Sequence, residues 1–370
     1  MNGNTTENQN TYNSNHKSKK KKFFSIDFLK NLPKNIRASR VIKQQAKELE
    51  KDIVTPNSND AISVQHLSKI FTNIVGTPFK VLNDVNFVVK KGEFHGFIGN
   101  NGAGKTTTIR LILNYYQDGF GKIFINGIDS KNKRSKDKIG YIPEISVFPK
   151  NITIFEYLYF FATLSNIDKK KAEIKVEQLM TKYGFSKDFF NKSADKLSSG
   201  QKKKILLMQA LINDPEILIL DEPTANLDPT ARNEFFEVIK QLHKEGKTIL
   251  ISSHILTELE KYIDSFTILE NGKVKVSGKI ADKLKGKDFN YKIQTTNNSQ
   301  FFEILSKEKY KLHLLKTSIL IEIKDAKAKT KLFTLAENNK IEIISFAENK
   351  LSLDEIYLEN VKTKDTENYE

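Results

Sequence analysis

The octapeptide Gly99-Asn100-Asn101-Gly102-Ala103-Gly104-Lys105-Thr106 has the spacing G-x-x-x-x-G-K-[ST] of a phosphate-binding loop. Ahead of it, Phe94-His95-Gly96-Phe97-Ile98 reads as a strand; behind it, Thr106 to Tyr116 reads as a helix. That is the context the motif requires, and a glycine turn standing before Lys-Thr by chance would lack it. The glycines let backbone N–H groups curl around a phosphate, and the helix N-terminus adds the positive end of a dipole. Lys105 would reach the β- and γ-phosphates of a nucleotide, and Thr106 would ligate Mg²⁺.

Further along, Ile217-Leu218-Ile219-Leu220 is a fully apolar run ending in Asp221-Glu222, as in a strand buried on both faces. A carboxylate at such a strand end can hold Mg²⁺ through water, and the next can orient an attacking water. A helix cap or surface turn is the plainer alternative. Asp228 and Pro229 then start a helix whose buried stripe is expected to be Phe235, Val238, Ile239 and Leu242, with Gly246 ending it. Thr248 to Ile251 is the next buried strand, and Asn271-Gly272 between Thr267–Leu269 and Val274–Val276 signals a hairpin. From Ile62 onward, short β-rich runs alternate with helical ones, which is the mark of an α/β domain.

Five more stretches fall in order around these two: Phe71; Ile139-Gly140-Tyr141-Ile142-Pro143-Glu144; Leu197-Ser198-Ser199-Gly200-Gln201; Ala225-Asn226-Leu227-Asp228; and Ser253-His254. Each alone is weak, and a lone histidine at a strand end is more often structural. Together, in this order, the chain over about residues 60–280 resembles the ATP-binding subunits of ABC transporters. The resemblance implies an α/β P-loop NTPase of ABC ATPase type with a helical subdomain, working as a head-to-tail dimer with two ATP between the subunits. It implies that Phe71 stacks on adenine and that Gly99, Asn100, Asn101, Gly102, Ala103, Gly104, Lys105, Thr106 and Thr107 wrap the phosphates. Ser198, Gly200 and Gln201 would cap the γ-phosphate of the ATP held by the opposite subunit, and Asp228 would cross the interface. Asp221, Thr106 and Glu144 would support Mg²⁺, Glu222 would be the general base, and His254 would contact the γ-phosphate, with Lys105 and Glu144 completing the catalytic set.

Two positions depart from the family pattern. Ser199 stands where glycine is usual, and Glu144 where glutamine is usual. A carboxylate beside ATP adds repulsion unless Mg²⁺ or a neighbouring cation offsets it. Tyr141-Ile142-Pro143-Glu144 resembles the exporter branch that handles drugs, sodium or polysaccharides. So does a C-terminal module ending like Leu351-Ser352-Leu353-Asp354-Glu355-Ile356-Tyr357-Leu358-Glu359.

Composition bounds the rest. The 370 residues are 38% hydrophobic and 28% charged, with 60 Lys and Arg against 45 Asp and Glu, a surplus of +15. There is no cysteine, which excludes disulfides, thiolate metal sites and a cysteine nucleophile. No run reaches the 18 or so uncharged apolar residues of a membrane span, and the polar first residues lack a signal-peptide core. Residues 1–52 hold 12 Lys and Arg against 5 Asp and Glu, a net of +7. The expected organisation is therefore a polar, basic, largely disordered extension over 1–58, a nucleotide-binding domain over 59–285 with its helical subdomain at about 145–212, a small α+β module over 286–362, and a tail over 363–370. In that module Ser318 to Ile323 and Lys340 to Ile344 look like strands, and Leu353 to Val361 like a closing helix.

Lys19 to Leu29 reads as a solvated tail, with an anionic membrane surface as the rival. Lys202-Lys203-Lys204 reads as a solvated helix face. His16, His66, His95, His243 and His313 show no metal spacing. The expected partners are a polytopic transmembrane permease subunit, docked near Glu144 to Leu164, and a second nucleotide-binding subunit in a homo- or heterodimer. The chain would sit peripherally on the cytoplasmic face of the membrane without touching the transported substrate. One rival is a soluble ABC-type ATPase acting on the ribosome or nucleic acid, which the single nucleotide domain disfavours. Another is a non-catalytic ATP-binding module, against which Lys105, Asp221, Glu222 and His254 stand intact.

Overall fold

The computed structural model describes residues 48–349 except 74–76, 118, 284–288, 309 and 316, together with residues 44, 353 and 357. Lys19 to Leu29 and the tail 363–370 lie outside the described residues. In chain order the strands are β1 (Asp60–Thr72), β2 (Pro78–Lys90), β3 (Phe94–Ile98), β4 (Gly119–Ile125), β5 (Ile128–Asp129), β6 (Ile139–Ile142) and β7 (Ile217–Leu220). They continue as β8 (Thr248–Ser253), β9 (Ser265–Glu270), β10 (Lys273–Lys279), β11 (Tyr291–Thr295), β12 (Leu312–Leu314), β13 (Ile319–Ile321) and β14 (Ile343–Glu348). They form three sheets, ordered β2-β1-β4-β5, β10-β9-β3-β8-β7-β6 and β12-β13-β11-β14.

The central six-stranded sheet positions the site. β6, β7, β8, β3 and β9 run parallel to their neighbours, and β10 returns antiparallel through the Asn271-Gly272 turn. β3, β7 and β8 are buried along their whole length. This explains the unbroken apolar sequence of β7 and the largely apolar ones of β3 and β8, since parallel strands are covered on both faces. Parallel strands deliver their carboxyl ends to one edge of the sheet, where such folds place their ligands. At that edge β3 ends at Gly99, β6 leads into Glu144, β7 into Asp221-Glu222 and β8 into His254.

One apolar core packs one face of this sheet (Phe94, Leu218, Ile251) against helices Ser199–Leu211 and Pro229–Lys244. Another packs the opposite face (Phe97, Ile219, Leu250) against helix Lys105–Ile112 and the antiparallel sheet. The helix at Pro229 begins as its sequence requires, with the Asp228 side chain accepting from Ala231 N at 2.9 Å. Its buried stripe is Phe235, Phe236, Ile239 and Leu242; Val238 is only half-buried, so Phe236 takes the place expected of it. A third core joins helices Ile154–Leu164 and Lys169–Lys182 to Ile205 and Met208 of the helix at Ser199. That helix is therefore shared between the helical region and the sheet.

The C-terminal sheet has its own core of Ile293, Phe301, Leu305, Ile319, Ile321 and Leu332. Its strands are shorter or later than the sequence suggests: β13 spans only Ile319–Ile321, and β14 starts at Ile343. The closing segment does not end there. Leu353 and Tyr357, both helical and four residues apart, are buried in the core on the first face of the central sheet with Phe94 and Phe266, and Leu353 N donates to Glu260 Oε2 at 3.0 Å. Leu353→Ala is therefore expected to destabilise the central-sheet core by about 2–5 kcal/mol, the usual range for emptying a packed leucine site. Urea unfolding followed by hydrogen exchange of the central-sheet amides would measure it; a change confined to the C-terminal sheet would contradict this packing.

The N-terminal extension is not featureless up to residue 58. Glu50 Oε1 accepts from Gly121 N at 2.8 Å, and Gln65 exchanges two hydrogen bonds with the Val54 backbone. Among the described residues no helix is long and apolar enough to cross a membrane.

Candidate functional site: a phosphate-binding cavity at the strand ends

The edge made by β3, β6, β7 and β8 frames a cavity of about 510 Å³. Asn101, Gly102, Gly104, Lys105, Thr106, Thr107, Glu144, Glu222 and His254 all line it. Gly104 takes φ 110°, in the left-handed region, and a Cβ there would stand 2.6 Å from Leu82 Cδ2. Both its backbone and its lack of a side chain are needed for the loop to close over the helix start.

Lys105 is 4% exposed, and its Nζ donates to Gly99 O at 2.6 Å and Asn100 O at 3.3 Å. It also pairs with Glu222 Oε1 at 2.9 Å, while His254 Nδ1 meets Glu222 Oε2 at 2.9 Å. The Glu222 carboxylate is thus held between a lysine and a histidine. Burial alone would push its pKa up, but Lys105 and His254 outweigh burial and hold it below the usual glutamate value. The Glu222 backbone is in the left-handed region at φ 41°, and its N–H donates to Ser252 Oγ at 2.9 Å. Left-handed backbone at a non-glycine residue costs on the order of 1 kcal/mol or more and collects at functional sites.

Asp221 is buried at 1% exposure. Its Oδ1 accepts from Ser252 Oγ at 2.8 Å and from Thr106 Oγ1 at 3.2 Å. Burial raises its pKa, the two hydroxyls oppose that, and the neighbouring Glu144 and Glu222 charges add to the rise. A hydroxyl and a carboxylate side by side are hard oxygen donors that suit Mg²⁺, which takes one or two protein oxygens and completes its shell with phosphate and water. Among the described residues no group of three His, Asp or Glu is assembled for a metal.

Other sequence-predicted residues stand apart from this cavity. Phe71 does not line it; it packs edge-on to Tyr116 at 5.5 Å and beside Phe79 at 6.2 Å, with Lys69 over its ring. Ser198, Gly200, Gln201 and Asp228 do not line it either. Ser198 and Gln201 cap their own helix, Gln201 N donating to Ser198 Oγ at 3.2 Å and Ser198 N to Gln201 Oε1 at 3.1 Å. Ser199 takes the first helical position, and a Cβ on Gly200 would come within 3.0 Å of Ala231 Cβ. Gly200 therefore also has a packing reason, the close approach of two helices.

The run Lys202-Lys203-Lys204 is a solvated face only at its ends, where Lys202 and Lys204 stay partly exposed. Lys202 donates to Asp195 O at 3.2 Å and Lys204 to Glu234 Oε2 at 2.9 Å, whereas Lys203 is buried with its ammonium against the Glu144 loop. A charge run offers no sign of which member is inside, and only the apolar residues that follow hint that the helix is embedded.

A sequence profile described as "ABC transporter" matches residues 82–225, which include the phosphate loop and Asp221-Glu222. The chain is similar to a Mycoplasma pneumoniae protein named as an ABC transporter ATP-binding protein, 40% identical over 299 residues covering 80% of this chain and 90% of that one. It is also similar to the ABC transporter ATP-binding protein NatA of Bacillus subtilis, 34% identical over 219 residues covering 57% of this chain and 88% of that one. A solved ATP-binding subunit of an ABC transporter superposes with a TM-score of 0.53 at 33% identity, covering 60% of this chain and 91% of the other. With the strand-end cavity, the Lys105–Glu222–His254 cluster and these likenesses together, the chain belongs to the ATP-binding subunits of ABC transporters and is an ATP-hydrolysing enzyme.

Proposed function

We propose that this subunit binds ATP with Mg²⁺, closes head to tail with a second nucleotide-binding subunit around two ATP, and drives a separate polytopic permease as an exporter from the cytoplasmic face of the membrane. The observation that carries this reading is the Glu222 carboxylate, held at 2.9 Å by Lys105 on one side and His254 on the other within the phosphate-loop cavity.

Glu222 takes the proton of an attacking water, and its strength as a base depends on Lys105. When phosphate oxygens compete for the Lys105 ammonium, Glu222 loses one of the two partners that hold its pKa down. The base thus strengthens as substrate seats. His254 remains to orient the carboxylate and present its other ring nitrogen to the γ-phosphate. Thr106, Asp221 and Glu144 supply oxygen donors for Mg²⁺, which neutralises phosphate charge when bound. Phe71, with the exposed Phe79 paired to it across β1 and β2, supplies aromatic surface for adenine.

Ser198, Gly200, Gln201 and Asp228 lie outside the cavity of their own chain. This favours their service to the nucleotide of a second chain. ATP bridging two faces closes the pair, and loss of the γ-phosphate loosens it, which is a population shift driven by differential affinity for the closed state.

The permease docks on the segment from Glu144 to Leu164. Ile145 and Val147 are 70% and 75% exposed, and Phe160 and Leu164 project from a helix whose Tyr157, Leu158 and Ala162 are buried. Core packing thus claims one face of that helix and leaves apolar residues on the other. Export rather than import rests on Glu144 and on the C-terminal module.

Purification of the tagged chain from its own membranes in mild detergent, with mass spectrometry, tests the partner. A polytopic membrane protein in stoichiometric amount is expected. Ribosomal proteins or nucleic acid instead would favour the soluble ATPase, and a salt-sensitive gel shift would follow it up.

A further inference from the structure

Lys203 is 3% exposed, in the first half of helix Ser199–Leu211, and a buried ammonium is costly unless its protons are placed. Its Nζ donates to Pro143 O at 2.9 Å and to Glu144 O at 2.6 Å. No carboxylate among the described residues forms an ion pair with it, so what it holds is backbone. Burial lowers its pKa to about 8, against the pull of the Glu144 and Asp221 charges. These carbonyls belong to the turn where β6 ends and the chain enters the cavity. Glu144 lines that cavity, while Ser198, five residues before Lys203, caps the helix that would face the second nucleotide.

We propose that Lys203 is a positioning residue for hydrolysis: it fixes the Glu144 loop to the helix that Ser198 caps, and its charge lets a carboxylate stand at position 144 beside the nucleotide. The proposal rests on the reading of Glu144 and Ser198 given above. A glutamine at this position would need only the backbone clamp, whereas glutamate needs a cation as well, because repulsion from the phosphates grows with each added negative charge. Lys203 supplies the clamp through the two carbonyls and brings its positive charge into the same turn. A shift of the clamp would move Glu144 in one site and Ser198 toward the other, so its loss should appear in turnover more than in ATP affinity.

The test is steady-state ATP hydrolysis by the full chain, comparing the parent with Lys203→Met, Lys203→Arg, Glu144→Gln and the Glu144→Gln/Lys203→Met double variant, with thermal melting alongside. Lys203→Met should lower kcat on the order of 10- to 100-fold while the KM for ATP stays within about threefold, and Lys203→Arg should recover most of the loss. In the Glu144→Gln background the same lysine-to-methionine change should cost clearly less, because no carboxylate is left to need a counter-charge. An unchanged kcat in Lys203→Met would overturn the proposal. So would a loss that tracks the melting temperature and is not recovered by arginine, or an equal loss with and without Glu144→Gln. A parent chain without ATP hydrolysis would overturn both this proposal and the nucleotide chemistry beneath it.

Discussion

Glu222→Gln is expected to lower steady-state ATP hydrolysis by about 100- to 10,000-fold, the usual contribution of a positioned general base. Glutamine keeps the shape of the side chain and can still meet His254, but it cannot accept a proton from water. It also removes the negative charge that pairs with Lys105 at 2.9 Å, which frees that ammonium for phosphate oxygens. ATP affinity should therefore be kept or improved while turnover fails. Phosphate release and equilibrium nucleotide titration on the same preparation separate the two quantities. Hydrolysis at the parent rate would remove Glu222 from the role of base.

Lys105→Ala is the second large effect and acts in the opposite direction on binding. Lys105 is 4% exposed, and its Nζ touches Gly99 O, Asn100 O and the Glu222 carboxylate, which is itself 11% exposed. Alanine deletes the cation facing the phosphates and leaves two loop carbonyls and a partly buried carboxylate without it. The ATP dissociation constant is expected to rise by about 30- to 5,000-fold, the range for truncating one partner of a hydrogen-bonded charge pair. Unchanged ATP titration would contradict the phosphate-loop assignment.

The same substitution carries a pH signature. The folded pKa of Glu222 is depressed, with Lys105 the leading cause on the lowering side. A depressed carboxylate contributes stability that is present above its unfolded value, about 4.3, and lost as pH falls through the folded value. The stability gap between the parent and Lys105→Ala should be widest above that unfolded value and should close on acidification. A gap that widened in acid would show that Lys105 does not hold the carboxylate down.

Much of this site can be read in the sequence because its residues sit where regular structure stops. Asp221 follows an unbroken apolar run, Gly99 and His254 follow largely apolar ones, and such runs become parallel strands whose ends converge. The phosphate loop is equally legible, since its glycines and its lysine are close neighbours in the chain. What the sequence leaves dark comes from contacts between distant segments. Lys203 reads as one of three surface lysines until helix Ser199–Leu211 packs against the turn at Pro143. Leu353 and Tyr357 read as the end of the C-terminal module, yet their burial depends on Phe94 and Phe266, far back in the chain. Phe236 displaces Val238 from the stripe because the neighbouring Tyr262 ring stacks on it at 4.8 Å, a tertiary contact that helical period does not encode. Phe71 illustrates the same limit: its place near Tyr116 follows from strand register, and the motif alone does not show that it stands outside the phosphate cavity.

The position of Ser198, Gly200, Gln201 and Asp228 outside the cavity of their own chain leads to the most direct measurement, the solution mass of Glu222→Gln by light scattering with and without ATP and Mg²⁺. The composite site predicts the mass of two chains when ATP is present, and of one chain when ATP is withheld or replaced by ADP. Saturated ATP binding with the mass of a single chain throughout would contradict a site completed by a second subunit.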